Sequence, residues 1–362
     1  MSERHMQEQH YDVVVIGGGV AGLSGALALG RARRSVLVID SGGPRNMHAE
    51  NLHTYLGRDG TAPGEMLRIA RDEVRRYGVM VREGTVVEVS RDKSFHVVLA
   101  DTSVVHARRL LVTTGLTDEL PDVPGIAQLW GKDVLYCPYC HGWEVRDETI
   151  GVLATDGRAV HQALHWRQWT THITLFQHTG PEPTKEEHLQ LAARGIPVVR
   201  GTVARLDTTG GRLSHLRLSD GGTAYPCRAL VIAPWFRPRA DFLAPLGVKP
   251  ADFISGGQVI GRHIAADEAG ATGARGVWVA GNVTSPLDQL IAAAAAGSRA
   301  AMAINTHLIA EETHRALNRP SPIGAGHSPS SIQKGALSLR RPWWTASGVV
   351  ADHGRSGVSQ GW

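Results

Sequence analysis

The sequence predicts an α/β fold of two nucleotide-binding-type units, each Rossmann-like with three-layer ββα architecture, the second inserted in the first, and a disordered C-terminal tail. Three observations predict it. Residues 12–40 read strand, glycine turn, helix, strand. A second strand–helix–strand series follows between Thr149 and Phe176. Two further apolar strands, one from Leu110 to Gly115 and one from Gly276 to Asn282, flank that series, so the chain leaves the first unit and returns to finish it. The expected boundaries are 1–122 with 251–317 for the first unit, 123–250 for the second and 318–362 for the tail.

With 362 residues, 42% hydrophobic and 20% charged, the chain is long enough for two modest cores. A formal charge of +4 with scattered basic residues excludes a nucleic-acid track as the primary role. The N-terminus is a short polar lead to Tyr11-Asp12, and the apolar Val13 to Ile16 is cut off by glycines where a secretory signal would continue. No apolar run reaches the roughly 18 residues that span a bilayer. A cytoplasmic protein is expected. Of three cysteines, two form C-x-x-C, a spacing that is catalytic or metal-binding more often than structural in a reducing compartment. Cys227 is left as a buried structural thiol.

The first unit opens with the strand Val13–Ile16 and the turn Gly17-Gly18-Gly19-Val20-Ala21-Gly22. Gly17, Gly19 and Gly22 form G-x-G-x-x-G, whose missing side chains allow a tight turn, close approach of a pyrophosphate and close helix packing. Ala21 lies within the same turn, and the helix N-terminus offers oriented N–H groups to an anion. Asp40 ends the second strand, where a carboxylate accepts from adenosine ribose hydroxyls and repels a 2′-phosphate. FAD or NAD is therefore favoured over NADP. Thr114-Gly115 and Gly281-Asn282 end the two flanking strands, the second of which leads into an alanine-rich helix.

Cys137-Pro138-Tyr139-Cys140-His141 carries the redox chemistry. Thiols three residues apart suit the start of a helix, where the dipole favours a thiolate and the pair can close a small disulfide ring. Pro138 suits such a start. A structural zinc would need a second pair of ligands, which Cys227 alone and the adjacent His141 do not supply.

The order of glycine fingerprint, Thr-Thr-Gly strand, C-x-x-C and Gly276-Val277-Trp278-Val279-Ala280-Gly281-Asn282 resembles the low-molecular-weight thioredoxin reductases over about residues 11–310. The resemblance implies FAD as cofactor, with the last strand and helix on the ribityl chain and the ring. Asn282 replaces the family's usual Asp, and Gln289 matches a position beside the flavin. Arg45, Asn46 and His53 lie in the segment folded against the ring, and Val87 and Leu290 complete the candidate cofactor contacts. A homodimer is the family's usual assembly. The string from Cys137 through Glu144, with His141 where reductases commonly have Asp, is more similar to the thioredoxin-reductase-like dithiol oxidases of holomycin- and gliotoxin-type natural products.

The second unit departs from the reductase pattern. Its strand from Thr149, helix from Ala159 to Trp169 and strand from Ile173 keep the skeleton, but Ala154, Thr155 and Asp156 stand where the reductases have three glycines. A carboxylate at Asp156 opposes a diphosphate by more than the helix dipole, about 1 kcal/mol, offsets. Phe176-Gln177-His178-Thr179 offers no pair of arginines for a 2′-phosphate. NADPH binding is expected to be lost, the alternative being residual NADH binding.

These features predict an FAD-dependent dithiol oxidase. A small-molecule dithiol attacks Cys137, assisted by His141; Cys140, which the resemblance places next to the flavin, passes on the electrons; and O2 leaves as H2O2. The alternatives are a disulfide reductase fed by NADH or ferredoxin and a flavin-binding redox sensor. His161 and His165 read as a solvated or packing helix face, and Trp143, Trp166, Trp169 and Trp235 as core, interface or an aromatic pocket. Arg340-Arg341-Pro342-Trp343-Trp344 in the tail reads as a non-functional extension.

Overall fold

The computed structural model describes residues 9–319, and the expected tail lies outside them from residue 320 onward. Residues up to His314 form one compact unit, and a second begins at Arg315.

The glycine fingerprint is positioned by a strand buried on both faces. In β1 (Gln9–Ile16), Val13 and Val15 pack against Leu23, Ala26 and Leu29 of α1 (Val20–Arg31), while Val14 and Ile16 face an opposite core with Phe95 and Val97. Coverage on both sides is why the strand reads as a continuous apolar run rather than an alternating one. Each such side chain contributes about 1.5–3 kcal/mol relative to exposure.

β2 (Val36–Asp40) and β3 (Val104–Val112) flank β1 in parallel, with Val14 opposite both Leu37 and Leu110. The antiparallel pair Val86–Arg91 and Phe95–Leu99 extends the sheet from the first half of β3. Its second half, from Leu110 to Val112, is completed by the returning strand Val277–Val279. Both ends of the chain therefore build one sheet, as the flanking apolar strands predict. The C-terminal helix, Leu290–Leu317, then crosses α1 so closely that a Cβ on Gly297 would overlap the carbonyl oxygen of Ala21.

A second sheet, wholly parallel, runs in the order Val198–Val199, Ile173–Phe176, Ile150–Leu153, Ala229–Val231, Val134–Leu135. Trp166 fills the core beneath it. Its helix spans Ala159–Trp166, three residues shorter than expected, because Trp169 N–H turns back to the Trp166 carbonyl. A four-stranded sheet made of Leu116–Glu119, Trp235–Pro238, Ala251–Ser255 and Gln258–His263 lies where the chain passes between the two larger sheets. Ala240, Leu243 and Val248 pack into the core of the first sheet. No helix among the described residues is long and apolar enough to cross a membrane.

Candidate functional site

A cavity of about 1300 Å³ opens between the glycine turn and the dithiol. Both arrive there for the same reason: Gly17 follows the C-terminal end of β1, and Tyr136-Cys137 follows the C-terminal end of the strand Val134–Leu135. In open parallel sheets the crevice beyond the carboxyl ends of strands is where ligands bind.

The turn is shaped for a phosphate group. Gly17 has φ +106°, and a Cβ there would lie 2.6 Å from the Thr113 carbonyl oxygen. Thr113 locks the turn through a 2.7 Å hydrogen bond from its hydroxyl to Gly17 O. A Cβ on Gly19 would meet nothing within 4 Å and would project into open space. Gly19 is also the N-cap of α1, whose first N–H groups have no side-chain cap. Gly22 does not line the cavity; it packs on Gly17 O and Thr113 Oγ1, as close helix packing requires. Ala21 and Asp40 do line it. Asp40 is held by Arg71 Nη2 at 2.7 Å.

At the other end, the Asn282 side-chain nitrogen donates to the carbonyls of Ser285, Pro286 and Asp288 at 3.0, 3.3 and 2.9 Å. That turn delivers Gln289 and Leu290 to the cavity, with Gly281 behind it. Arg45 grips both carboxylate oxygens of Asp118 at 2.8 and 2.7 Å and donates to Pro286 O at 3.0 Å. Asn46, Val87, Thr114 and Gly115 also line the cavity. Thr113, Arg71 and Asp118 are absent from the sequence-based candidates; nothing local marks residues whose partners are 31 to 96 positions away.

Cys137 caps the four-residue helix Pro138–His141, and both its thiols are free. The Cys137 thiol is lowered to about 7, first by a hydrogen bond from Cys140, against the effect of burial, then by the N–H groups of Cys140 and Tyr139 and by the Gln289 side chain. Cys140 is pushed up by that same bond, by burial and by the charge on Cys137. The reduced pair thus carries its negative charge on Cys137 and its proton on Cys140. Both His141 ring nitrogens are buried with no hydrogen-bond partner, and burial pulls the imidazole below its usual value, so it is neutral at pH 7. Cys227 is buried, with its thiol pushed up to about 12, as befits a structural residue.

His53 is not on the cavity wall. Its Nε2 lies 3.3 Å from Glu144 and its Nδ1 3.4 Å from Asp59, on the dithiol side. His161 and His165, read from sequence as a solvated or packing face, instead line the cavity with the dithiol, and His165 Nε2 is 3.4 Å from the Tyr139 hydroxyl. Their i,i+4 spacing shows a common face but not what that face meets. Of the four tryptophans considered, Trp166 lines the cavity, Trp169 packs 5.6 Å from Tyr139, and Trp143 is exposed beneath Arg146.

In the turn of the second unit the side chains pair with each other, and Gly157 and Arg158 face the large cavity. Asp156 accepts from the backbone N–H of Arg158 at 2.9 Å and from its guanidinium at 2.6 Å, and Gly180 N–H donates to Ala154 O at 2.8 Å. The crevice beside this turn, bordered by Glu182 and Glu187, holds about 20 Å³, room for about one water. Among the described residues no group of three or more His, Cys, Asp or Glu is placed to hold a metal.

The first turn therefore fits a dinucleotide: the open space beside Gly19, the uncapped N–H groups and Asp40 would take its diphosphate and ribose, and Asn282, Gln289 and Leu290 its far end. A family profile of pyridine nucleotide-disulphide oxidoreductases matches residues 11–300. The crystal structure of HlmI aligns with a TM-score of 0.79 at 40% identity, covering 86% of this chain and 96% of that one. Thioredoxin reductase sirT of Leptosphaeria maculans is 29% identical over 315 residues, 82% of this chain and 93% of that protein. Thioredoxin reductase tcpT of Claviceps purpurea is 39% identical over 160 residues, 42% of this chain and half the length of that relative. The chain belongs to the pyridine nucleotide-disulphide oxidoreductases, as a thioredoxin-reductase-like flavoprotein whose cofactor is FAD.

Proposed function

We propose that this flavoprotein is a dithiol oxidase, closing an intramolecular disulfide in a small-molecule dithiol of the natural-product type with O2 as acceptor and H2O2 as second product. The observation that carries this reading is the second turn itself: Asp156, standing where a diphosphate would approach, is paired with Arg158 at 2.6 Å, and the turn lacks the glycines that would let a pyridine nucleotide come close. The likeness to HlmI and the dithiol within the large cavity support it.

The chemistry begins with Cys137 and Cys140 as a disulfide. Neutral His141 takes the proton of one substrate thiol, the thiolate attacks Cys137 Sγ, and Cys140 departs and receives that proton, its burial disfavouring the thiolate. The second substrate thiol gives its proton to His141, neutral again after the first transfer, attacks the substrate sulfur of the mixed disulfide and expels Cys137 as the thiolate. A thiol lowered to about 7 is a good leaving group. FAD, held by the Gly17–Gly22 turn, Asp40 and the Asn282–Leu290 segment, would supply the two-electron acceptor that lets O2 reoxidise the reduced pair. The sum is one dithiol and one O2 converted to one disulfide and one H2O2.

His161, His165 and Tyr139 form the wall a substrate meets beside the dithiol. The reading includes a cytoplasmic homodimer, checked by light scattering of the purified protein.

A reductase direction over the same pair, fed by NADH or ferredoxin, is favoured by the relatives named thioredoxin reductase. Two measurements separate the readings. Peroxide release with a panel of dithiols in air supports the oxidase. Rapid anaerobic bleaching of the flavin by NADH or NADPH refutes it.

A further inference from the structure

An aromatic wall begins inside the dithiol motif itself. Tyr139 lines the cavity and keeps 55% of its surface exposed. Its ring stands edge-to-face with His165 at 5.4 Å and 68° and with Trp169 at 5.6 Å and 88°. Trp169 is fixed in turn from the dithiol side. A Cβ on Gly142, the residue after His141, would come within 2.8 Å of its indole, so the missing side chain lets the indole pack directly on the end of the dithiol helix. His161, one turn before His165 on the helix Ala159–Trp166, continues the row at a ring spacing of 5.7 Å. The two ends of the row, Tyr139 and His161, are exposed, and the middle, His165 and Trp169, is half-buried.

This construction selects a ligand by shape and by charge. Rings already held by their neighbours lose little freedom on binding, so a flat partner gains stacking or edge-to-face contact without the cost of ordering them. Among the described residues neither histidine pairs with a carboxylate, and the guanidinium of Arg158, at the start of the same helix, is held by Asp156 at 2.6 Å. The wall therefore offers no carboxylate for a cationic substrate and no unpaired guanidinium for an anionic one. What it does offer is ring faces and edges next to the reacting sulfurs.

We propose that Tyr139, His165 and His161 form a subsite for a flat, uncharged, conjugated ring that carries the two thiols of the substrate, and that this wall sets the preference among dithiols. The inference rests on the dithiol-oxidase reading for its substrate. The subsite itself binds the same ring in a closed disulfide, whichever way the electrons run.

Two dithiols that close a disulfide ring of the same size test it: ortho-benzenedimethanethiol, whose bridge between the thiols contains a benzene ring, and butanedithiol with terminal thiols. Oxygen uptake by the holoenzyme is expected to give the aromatic substrate the higher kcat/KM by about ten-fold, as one or two aromatic contacts supply. Tyr139→Leu and His161→Leu keep apolar bulk and remove a ring, and each should lower the aromatic-to-aliphatic ratio by about three-fold or more. Tyr139→Phe should keep it. Benzylic thiols are the more acidic, so the decisive figure is the change of ratio between parent and variant. A ratio unchanged in both leucine variants overturns the proposal, and His161→Leu, at an exposed position, remains decisive if Tyr139→Leu does not fold. A Tyr139→Phe ratio as low as that of Tyr139→Leu also overturns it, by assigning the effect to the hydroxyl. Calorimetric titration of the oxidised holoenzyme with the two cyclic disulfides needs no turnover and should show the same preference and the same loss. If no dithiol yields peroxide while that preference holds in the parent and falls in the leucine variants, the oxidase reading fails and the subsite stands.

Discussion

The Asn282 side-chain nitrogen sits 2.9 Å from the carbonyl oxygen of Asp288, and it shares its hydrogens with two more carbonyls of the same turn. An ionised Asp at this position could accept but not donate, so the amide is suited to a turn whose facing groups are all carbonyl oxygens.

Asn282→Asp is accordingly expected to lower stability by about 1–3 kcal/mol, the range for leaving buried polar groups unpaired, and to weaken flavin retention. Asn282→Ala should lose the bonds without adding repulsion, and should be the milder change. Thermal unfolding followed by flavin fluorescence orders the two.

Gly297 and Ala21 set the crossing of α1 and the C-terminal helix, where a Cβ would overlap backbone rather than a flexible side chain. Gly297→Ala should therefore destabilise by about 1–3 kcal/mol through overpacking, despite the higher helix propensity of Ala. Because Ala21 lines the cavity, flavin loss should accompany the change. An unchanged melting temperature with full flavin content would contradict this account of the crossing.

Arg158 is mostly buried, and besides Asp156 it reaches the carbonyls of Ala233 and Pro234 at 3.3 and 3.2 Å. Arg158→Ala leaves the partly buried carboxylate without its partner and should cost about 1–3 kcal/mol. Asp156→Ala should cost less, because the guanidinium keeps those two carbonyls. In a double-mutant cycle by denaturant unfolding, the pair should show a coupling above about 0.5 kcal/mol.

Much of this organisation is legible in the sequence. Val13 to Ile16 could be read as a strand because both its faces are covered, and Gly17, Gly19 and Gly22 because each answers a separate steric demand. What could not be read were the pairings that close the site: Thr113 on Gly17, Arg71 on Asp40, Thr54 on Gln289. A hydroxyl or guanidinium carries no local periodicity, and its partner is chosen by how distant elements pack. His53 illustrates the same limit, since its segment was recognisable but the turn of the ring toward Glu144 depends on Asp59 and on the loop that closes at Thr61.

The two thiols should titrate in a fixed order. With Cys137 lowered from 9.0 to about 7 and Cys140 raised, alkylation of the reduced enzyme should label Cys137 from neutral pH upward and Cys140 only well above it. The linkage signs are opposite. The depressed Cys137 contributes stability above pH 9.0 that is lost as pH falls toward 7, whereas the raised Cys140 contributes below 9.0 and loses its share as pH climbs. Equal labelling of both cysteines at neutral pH would show that the proton is not held as described.

His141 gives the sharpest pH test of the chemistry. Its pKa lies below the ordinary 6.5 because burial disfavours the imidazolium, an effect that nearby Glu144 opposes and His53 reinforces. The neutral base is thus available at pH 7, and oxygen uptake with a saturating dithiol should hold as pH falls to 6.5 and drop beneath it. Protonation also has a stability consequence of the same direction: the contribution of the buried neutral ring is present above 6.5 and is lost as pH falls toward its depressed value. His141→Ala should reduce turnover by about 10²- to 10⁴-fold, the range for losing a general base, and should abolish the acid limb. His141→Asp, with a carboxylate ionised and weakly basic at pH 7, should recover only part of the rate. Because low pH threatens the fold as well as the base, the decisive measurement is turnover after a brief acid exposure and return to pH 7. Full recovery assigns the limb to catalysis, and a limb that survives in His141→Ala removes His141 from the reaction.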